Sequence, residues 1–208
     1  MINSATTQWL TMVNLLLKDG RHASPRGFDT VELLGYQSVV DMSSPVVEFK
    51  GRNLGKSFLP GEAWWILSGK DDVESIAQYT KAIAQFSDNG VDFFGAYGPK
   101  IHEQLSYIVQ TLERDPESRQ AVINIWRECP PKTRDVPCTL SVQFVIRDLK
   151  IHCNVSMRSS DAWLGWPYDV FNFSMLSMYV AMKINDRAVY HGTNYRGYGI
   201  NDLGNLTL

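Results

Sequence analysis

At 208 residues, with a formal net charge of −2 and a sequence pI near 6.1, the chain is long enough to bury one substantial core and reads as a single domain over 1–208. That charge balance excludes a basic field for a nucleic-acid polymer and leaves a small anionic substrate open. No charged segment followed by an apolar stretch opens the chain and no apolar run approaches bilayer length, so the sequence reads as cytoplasmic with no membrane partner; Cys129, Cys138 and Cys153, odd in number and without ligand spacing, argue against a disulfide framework and a structural metal.

In chain order, Thr6 to Lys18 places Trp9, Met12, Val13, Leu16 and Leu17 at helical spacing, with Gly20 as the stop. Phe28 to Val40 is rich in β-branched and aromatic residues broken by Gly35, which predicts one strand or two with a bend, and Val46 to Phe49 predicts another. Pro60 suits the first turn of a helix that runs through Glu62 to Leu67 and ends at Gly69. Val73 to Phe86 and Ile101 to Arg114 predict further helices, the second stopping before Asp115-Pro116 because proline disfavours helix in the residue before it. Ala121 to Trp126 predicts a short buried strand. Leu140 to Arg147 and Lys150 to Met157 flank Asp148-Leu149 as an antiparallel hairpin. Val170 to Ile184 is apolar nearly all round and predicts a central buried helix. No repeat or low-complexity segment interrupts this α+β series.

Period-two alternation in the second hairpin strand sends Ile151, Cys153, Val155 and Met157 to one face and His152, Asn154, Ser156 and Arg158 to the other. Cys153 therefore reads as a core residue, and His152 as a surface or satisfied histidine. Cys138 differs, because it follows Pro137 at the start of a strand, where a chain reversal can aim its sulfur at a cleft. Arg158 can supply the positive charge a thiolate needs.

Pro137-Cys138, Gln143-Phe144, Arg158-Ser159-Ser160-Asp161 and Leu164-Gly165-Trp166-Pro167 resemble, in type and spacing, the signature of the thymidylate synthase family. Two details resemble its phage deoxycytidylate-hydroxymethylating branch: Thr139 after the cysteine, and Asp169 where thymidylate synthases carry asparagine. The resemblance covers nearly the whole chain. It implies an α+β fold with a large, mostly antiparallel or mixed sheet backed by helices, and a homodimer joined sheet to sheet. The implied reaction takes the one-carbon unit of 5,10-methylenetetrahydrofolate, the cosubstrate, to C5 of dCMP, after which water gives 5-hydroxymethyl-dCMP.

Residue by residue, the resemblance implies that Cys138 adds to C6 of the pyrimidine, activating an otherwise poor nucleophile at C5. It makes Glu62 the general acid/base, with Trp64 and Trp65 as apolar walls raising its pKa; the other reading is a first-turn glutamate favoured by the helix dipole. Asp169 suits the N3 acceptor and N4 amino donor of cytosine, and also suits an N-cap of the helix expected from Val170. Arg158 and Arg119 match phosphate-binding positions, Arg119 reaching across the dimer, with Arg26 a third arginine one residue out of register and Ser159 a hydroxyl for phosphate or sugar. Asp161, Gly165 and Tyr97 match the folate cleft, and Trp65 either stacks on folate or is a core residue.

The chain departs from the family at Arg119-Gln120, where two arginines are usual, and at Gly204 to Leu208, which resembles a strand leading to sugar-binding residues and a C-terminal segment that the chain does not reach. CMP hydroxymethylation and C5 methylation of dCMP or dUMP are the neighbouring readings. A nucleotide- or RNA-binding protein on the same scaffold is a reading of a different class.

Overall fold

A computed structural model describes residues 3–190, 200 and 202–208, with the side chains of 187–190 outside the description. The chain begins with α1 (Ala5–Asp19), capped by the Ser4 hydroxyl, which accepts from the Thr7 amide at 3.2 Å. Trp9 and Met12 are buried on its inner face, and the Trp9 indole donates to Ala162 O across 2.7 Å. A small antiparallel pair follows, β1 (Arg21–Ala23) with β2 (Thr30–Glu32). The apolar run from Phe28 to Val40 is thus two strands, β2 and β3 (Val39–Asp41), and Gly35 takes the left-handed φ of +66° between them.

Val46 to Phe49 is not a strand. Pro45 precedes it, and its backbone is met by α1 instead: the Thr6 hydroxyl donates to Val46 O and accepts from Glu48 N, while Phe49 packs on Trp9 at 5.5 Å. Next comes α2 (Phe58–Leu67), with Pro60 in its first turn and Glu62 beyond it. The helix expected over Val73 to Phe86 divides into α3 (Val73–Ala77), capped by Asp72, and a 3-10 turn over Lys81–Phe86, because Thr80 is extended. At that break the Tyr79 ring closes on Gly61, where a Cβ would stand 2.8 Å from ring carbons, so a side chain at Gly61 would push the ring off α2.

α4 (Tyr97–Arg114) starts four residues earlier than its apolar periodicity suggests, with Pro99 in its first turn. β4 (Val122–Asn124), β5 (Thr139–Arg147) and β6 (Lys150–Met157) follow. The β5–β6 hairpin turns on Asp148 and Leu149, both at positive φ (52° and 60°), the geometry of a tight two-residue turn matched to strand twist. α5 (Trp166–Tyr190) then crosses the molecule to β7 (Asp202–Thr207).

The main sheet has the order β3-β7-β6-β5-β4, antiparallel except for the β6–β7 pair. Val142, Phe144 and Ile146 on β5 and Ile151, Cys153 and Val155 on β6 are buried beneath the helices, as the alternation predicts. On the opposite face, Asn154 donates to Gln143 at 3.3 Å and Gln143 to Arg119 O at 2.9 Å. His152 accepts there from Asn205 N at 3.0 Å, a satisfied histidine. α5 runs through the core on Val170, Phe173, Leu176, Val180 and Ile184. Asn172, Ser174 and Ser177 are buried beside them, so the helix is less uniformly apolar than its sequence suggests. Among the described residues no helix is long and apolar enough to cross a membrane.

Candidate active site

Hairpin register builds the first half of the site. Thr139 pairs with Met157, so the residues just outside the ladder, Cys138 and Arg158, are also neighbours, joined by Arg158 N donating to Cys138 O at 2.9 Å. The pairing is irregular between Thr139 and Ser141, a bulge at the mouth of the hairpin where a strand bends and re-aims a side chain. Arg158 straps the chain approaching the cysteine: Nε donates to Pro137 O at 2.9 Å and Nη2 to Val136 O at 2.8 Å, with the Cys138 sulfur 3.9 Å from Nη2. Cys138 remains partly exposed.

Burial pushes the Cys138 thiol up, against the charge of Arg158 pulling it down; Asp169 and Asp135 push it up further and Arg26 pulls it down. The arginine expected beside the sulfur is present, and desolvation outweighs it. Protonating Asp169 removes one of the upward pushes.

α2 and α5 supply the second half. Burial raises Glu62 to about 7, the opposing influence being the Asn172 amide, whose Nδ2 donates to Glu62 Oε2 at 2.8 Å. Asp169 is pushed up to about 8 by burial first and then by the Glu62 charge. Part of the Asp169 residue reaches the surface, yet its carboxyl lies deep enough among protein atoms for desolvation to lead. α5 begins at Trp166 rather than Val170, so Asp169 sits inside the first turn, its amide bonded to Gly165 O, and the N-cap reading of Asp169 is corrected. Glu62 likewise lies past the first turn of α2, away from the helix-terminus position of the alternative reading.

Tyr97 closes the cluster from the start of α4. Its ring stacks on Phe173 at 6.2 Å, and its phenol is driven up by burial, then by Asp169, with Thr139 and Cys138 beside it. The hydroxyl therefore lies with the cysteine and the aspartate.

The segment 159–165 forms the rim. Ser159 and Asp161 are exposed. Asp161 Oδ1 accepts from Trp163 N and Leu164 N, at 2.7 and 2.6 Å, so this oxygen holds its own turn. Arg52, which the sequence reading passed over, fixes the same turn: Nε and Nη2 donate to Trp163 O, and the guanidinium lies over the Trp163 and Tyr168 rings. A methyl at Gly165 would stand 3.5 Å from Asp169 Oδ2, beside the carboxyl.

Three expected residues lie elsewhere. Trp65 is 7% exposed, packs edge-on against Phe93 and donates its indole N–H to Asp72 O at 3.0 Å, so it is a core residue, and folate stacking at Trp65 is corrected. Trp64 points outward at 67% exposure, so neither tryptophan forms the expected pair of walls; the α2–α5 packing buries Glu62 instead. Arg119 is exposed next to β4, its carbonyl bonded to Gln143 on the open sheet face. Asn172, one turn beyond Asp169, was also missed; its signal was a polar residue three places on from a site aspartate in an apolar run. Among the described residues, no group of three His, Cys, Asp or Glu is placed to hold a metal ion.

Residues 7–192 match the family model described as Thymidylate synthase. Among curated proteins, a deoxyuridylate hydroxymethyltransferase of Bacillus phage SP01 is 29% identical over 182 residues, covering 77% of this chain and 47% of that protein. A deoxyuridylate hydroxymethyltransferase of Pseudomonas phage M6 is 29% identical over 150 residues, covering 66% of this chain and 43% of its own length. The chain spans about half the length, or less, of these curated relatives.

Proposed function

We propose that this chain, which belongs to the thymidylate synthase family, transfers a one-carbon unit to C5 of a pyrimidine nucleotide, dCMP first, and completes the reaction with water to give 5-hydroxymethyl-dCMP. The observation that carries this reading is the buried Asp169 carboxyl, raised to about 8 beside Cys138 and Glu62. A carboxylic acid protonated near neutrality donates to N3 of cytosine and accepts from its N4 amino group. As the Cys138 sulfur adds to C6, electrons move toward N3; the proton passes to N3 and the carboxylate left behind accepts from both N–H groups. That contact strengthens as the adduct forms, which is the kind of binding that speeds a reaction.

5,10-Methylenetetrahydrofolate supplies the carbon. Exposed Trp163 and Leu164 on the Asp161 turn, next to Gly165, offer apolar surface suited to a flat pterin. C5 attacks that carbon, and loss of the C5 proton and of tetrahydrofolate leaves an exocyclic methylene. Water adds to the methylene, the C6–S bond breaks and the aromatic ring returns. Glu62, raised to about 7, can take and return protons at neutral pH and organise that water. Arg158, Arg26 and Ser159 border the cysteine side and suit the nucleotide phosphate, with Arg119 of a second copy completing the set across the open sheet face.

A second reading takes dUMP as substrate, favoured by the names of both phage relatives. A neutral Asp169 serves uracil too, accepting from N3–H and donating to O4. Incubation with methylenetetrahydrofolate and dCMP, CMP or dUMP in parallel, read by mass spectrometry, tests both. A gain of CH2O on dCMP is expected; the same gain chiefly on dUMP or CMP moves the substrate, a gain of CH2 makes the chain a methylase, and no product from any nucleotide overturns the reading.

A further inference from the structure

We infer that Asn172 is a positioning residue that holds the Glu62 carboxyl in place in both of its protonation states by turning its amide. The inference rests on the reading of Glu62 as the acid/base of the site. Asn172 stands three residues beyond Asp169 on α5, so the two project from the same side of the helix toward α2. At 5% exposure it is a buried polar side chain, and its Nδ2 donates to Glu62 Oε2 at 2.8 Å. Its Oδ1 is also buried, and in this orientation it has no hydrogen-bond partner among the described residues. A buried amide oxygen without a partner costs stability and needs a reason.

Glu62 provides one. An ionised Glu62 accepts only, and the Nδ2 donor suits it. Once protonated, the carboxyl has an O–H to donate, and a half-turn of the Asn172 amide brings Oδ1 to receive it. A fixed donor such as lysine would serve one state, and a fixed carboxylate the other. An amide serves both within one volume, so the carboxyl can give and take a proton without swinging away. Next to this pair stands Asp169 on α5, and around Asp169 lie Tyr97 on α4 and Cys138 at the start of β5, with Arg158 and Arg26 near the sulfur. Of these, Asp169 is the one that feels the Glu62 charge.

Two isosteric variants test the assignment, Asn172→Leu and Asn172→Asp. The readouts are titration of the Glu62 side chain by carbon NMR, in protein with ¹³C-labelled glutamate assigned through Glu62→Gln, and the pH profile of 5-hydroxymethyl-dCMP formation. Leucine removes both contacts, and because the Nδ2 donor holds the ionised carboxylate more strongly than Oδ1 holds the neutral acid, the Glu62 midpoint and the limb of the profile that Glu62→Gln abolishes should both move to higher pH by on the order of one unit. Aspartate, whose charge repels the glutamate, should move them further. In both variants kcat should fall on the order of 10-fold with KM for dCMP little changed. A midpoint that stays put in either folded variant, or a rise in KM at unchanged kcat, overturns the role. The NMR titration needs no turnover, so it reads the Asn172 contact even where the wild type makes no product. That outcome would sink the proposed reaction and leave the contact standing.

Discussion

The carboxyl side of the cleft, on α2 and α5, differs from the guanidinium side, at the end of β6 and the 3-10 turn over Pro25–Gly27, in what surrounds its charges. The carboxyls of Glu62 and Asp169, both partly exposed as residues, lie deep enough among protein atoms to be raised to about 7 and 8, whereas Arg26, Arg158 and Ser159 stand in solvent. Burial makes a group reactive by denying it an ionised rest state, and exposure keeps a group available to a ligand that arrives charged. Cysteine shows the same contrast inside one hairpin. Cys153 is fully buried, bonded to Ser177 and pushed up to about 12, while Cys138, partly exposed, has Arg158 beside it.

The sharpest break of this contrast is Cys138→Ser. Turnover should fall by on the order of 10⁴-fold or more, and the denaturation-resistant complex with 5-fluoro-dCMP and methylenetetrahydrofolate should vanish; a surviving complex would mean another nucleophile. Glu62→Gln should lower hydroxymethylation by roughly 10²- to 10⁴-fold while release of tritium from C5 persists. Full turnover by that variant would remove Glu62 from the chemistry.

Asp169→Asn should turn preference from cytosine toward uracil, losing roughly 10²-fold on dCMP in competition assays. It should also change stability in a pH-dependent way. A carboxyl whose folded pKa lies above its unfolded value binds a proton more tightly when folded, so its favourable contribution holds at low pH and is lost as pH rises toward about 8. Replacing Asp169 by the neutral amide should therefore raise Tm at pH 8.5 by more than at pH 5. Equal shifts at both pH values would contradict a raised Asp169.

On the exposed side, Arg158→Lys keeps the charge and loses the forked strap on Val136 and Pro137. KM for dCMP should rise roughly 10-fold, with a slower approach of 5-fluoro-dCMP to its covalent complex. Cys153→Ala should cost about 1 kcal/mol of stability by denaturant unfolding and leave turnover unchanged. Any large loss of turnover there would undo the contrast between the two cysteines.

Much of this was legible in the sequence where one residue pattern had one structural answer. The β5–β6 hairpin is an example: alternation chose the buried face and the two-residue turn fixed the register as far as Ser141 and Ser156, while the bulge between Thr139 and Ser141, which no local pattern announced, shifts the pairing by one and brings Cys138 beside Arg158. Local pattern was insufficient where a distant partner decided. Val46 to Phe49 has strand composition, but its backbone is satisfied by Thr6. Trp64 and Trp65 look alike in sequence, and only the position of Phe93 and Asp72 assigns one to the core. Asn172 was hidden in an apolar helix because its reason for being polar, Glu62, lies 110 residues away. Arg52 was invisible for the same cause, its partner Trp163 being 111 residues on.

The strand order carries one more consequence, for how the molecule comes to exist during synthesis. β7 lies between β3 and β6, so Val39–Asp41 has no place in the sheet until residues 202–207 are made. The β4–β5–β6 meander can form early from neighbouring stretches, but the edge of β6 stays open while α5 is being threaded past it. A ribosome that stalls within α5 would hold a nascent chain with an unpaired strand edge and its nucleophile already emerged. That interval is when a chaperone would be needed most, and slower translation there should lower the soluble yield.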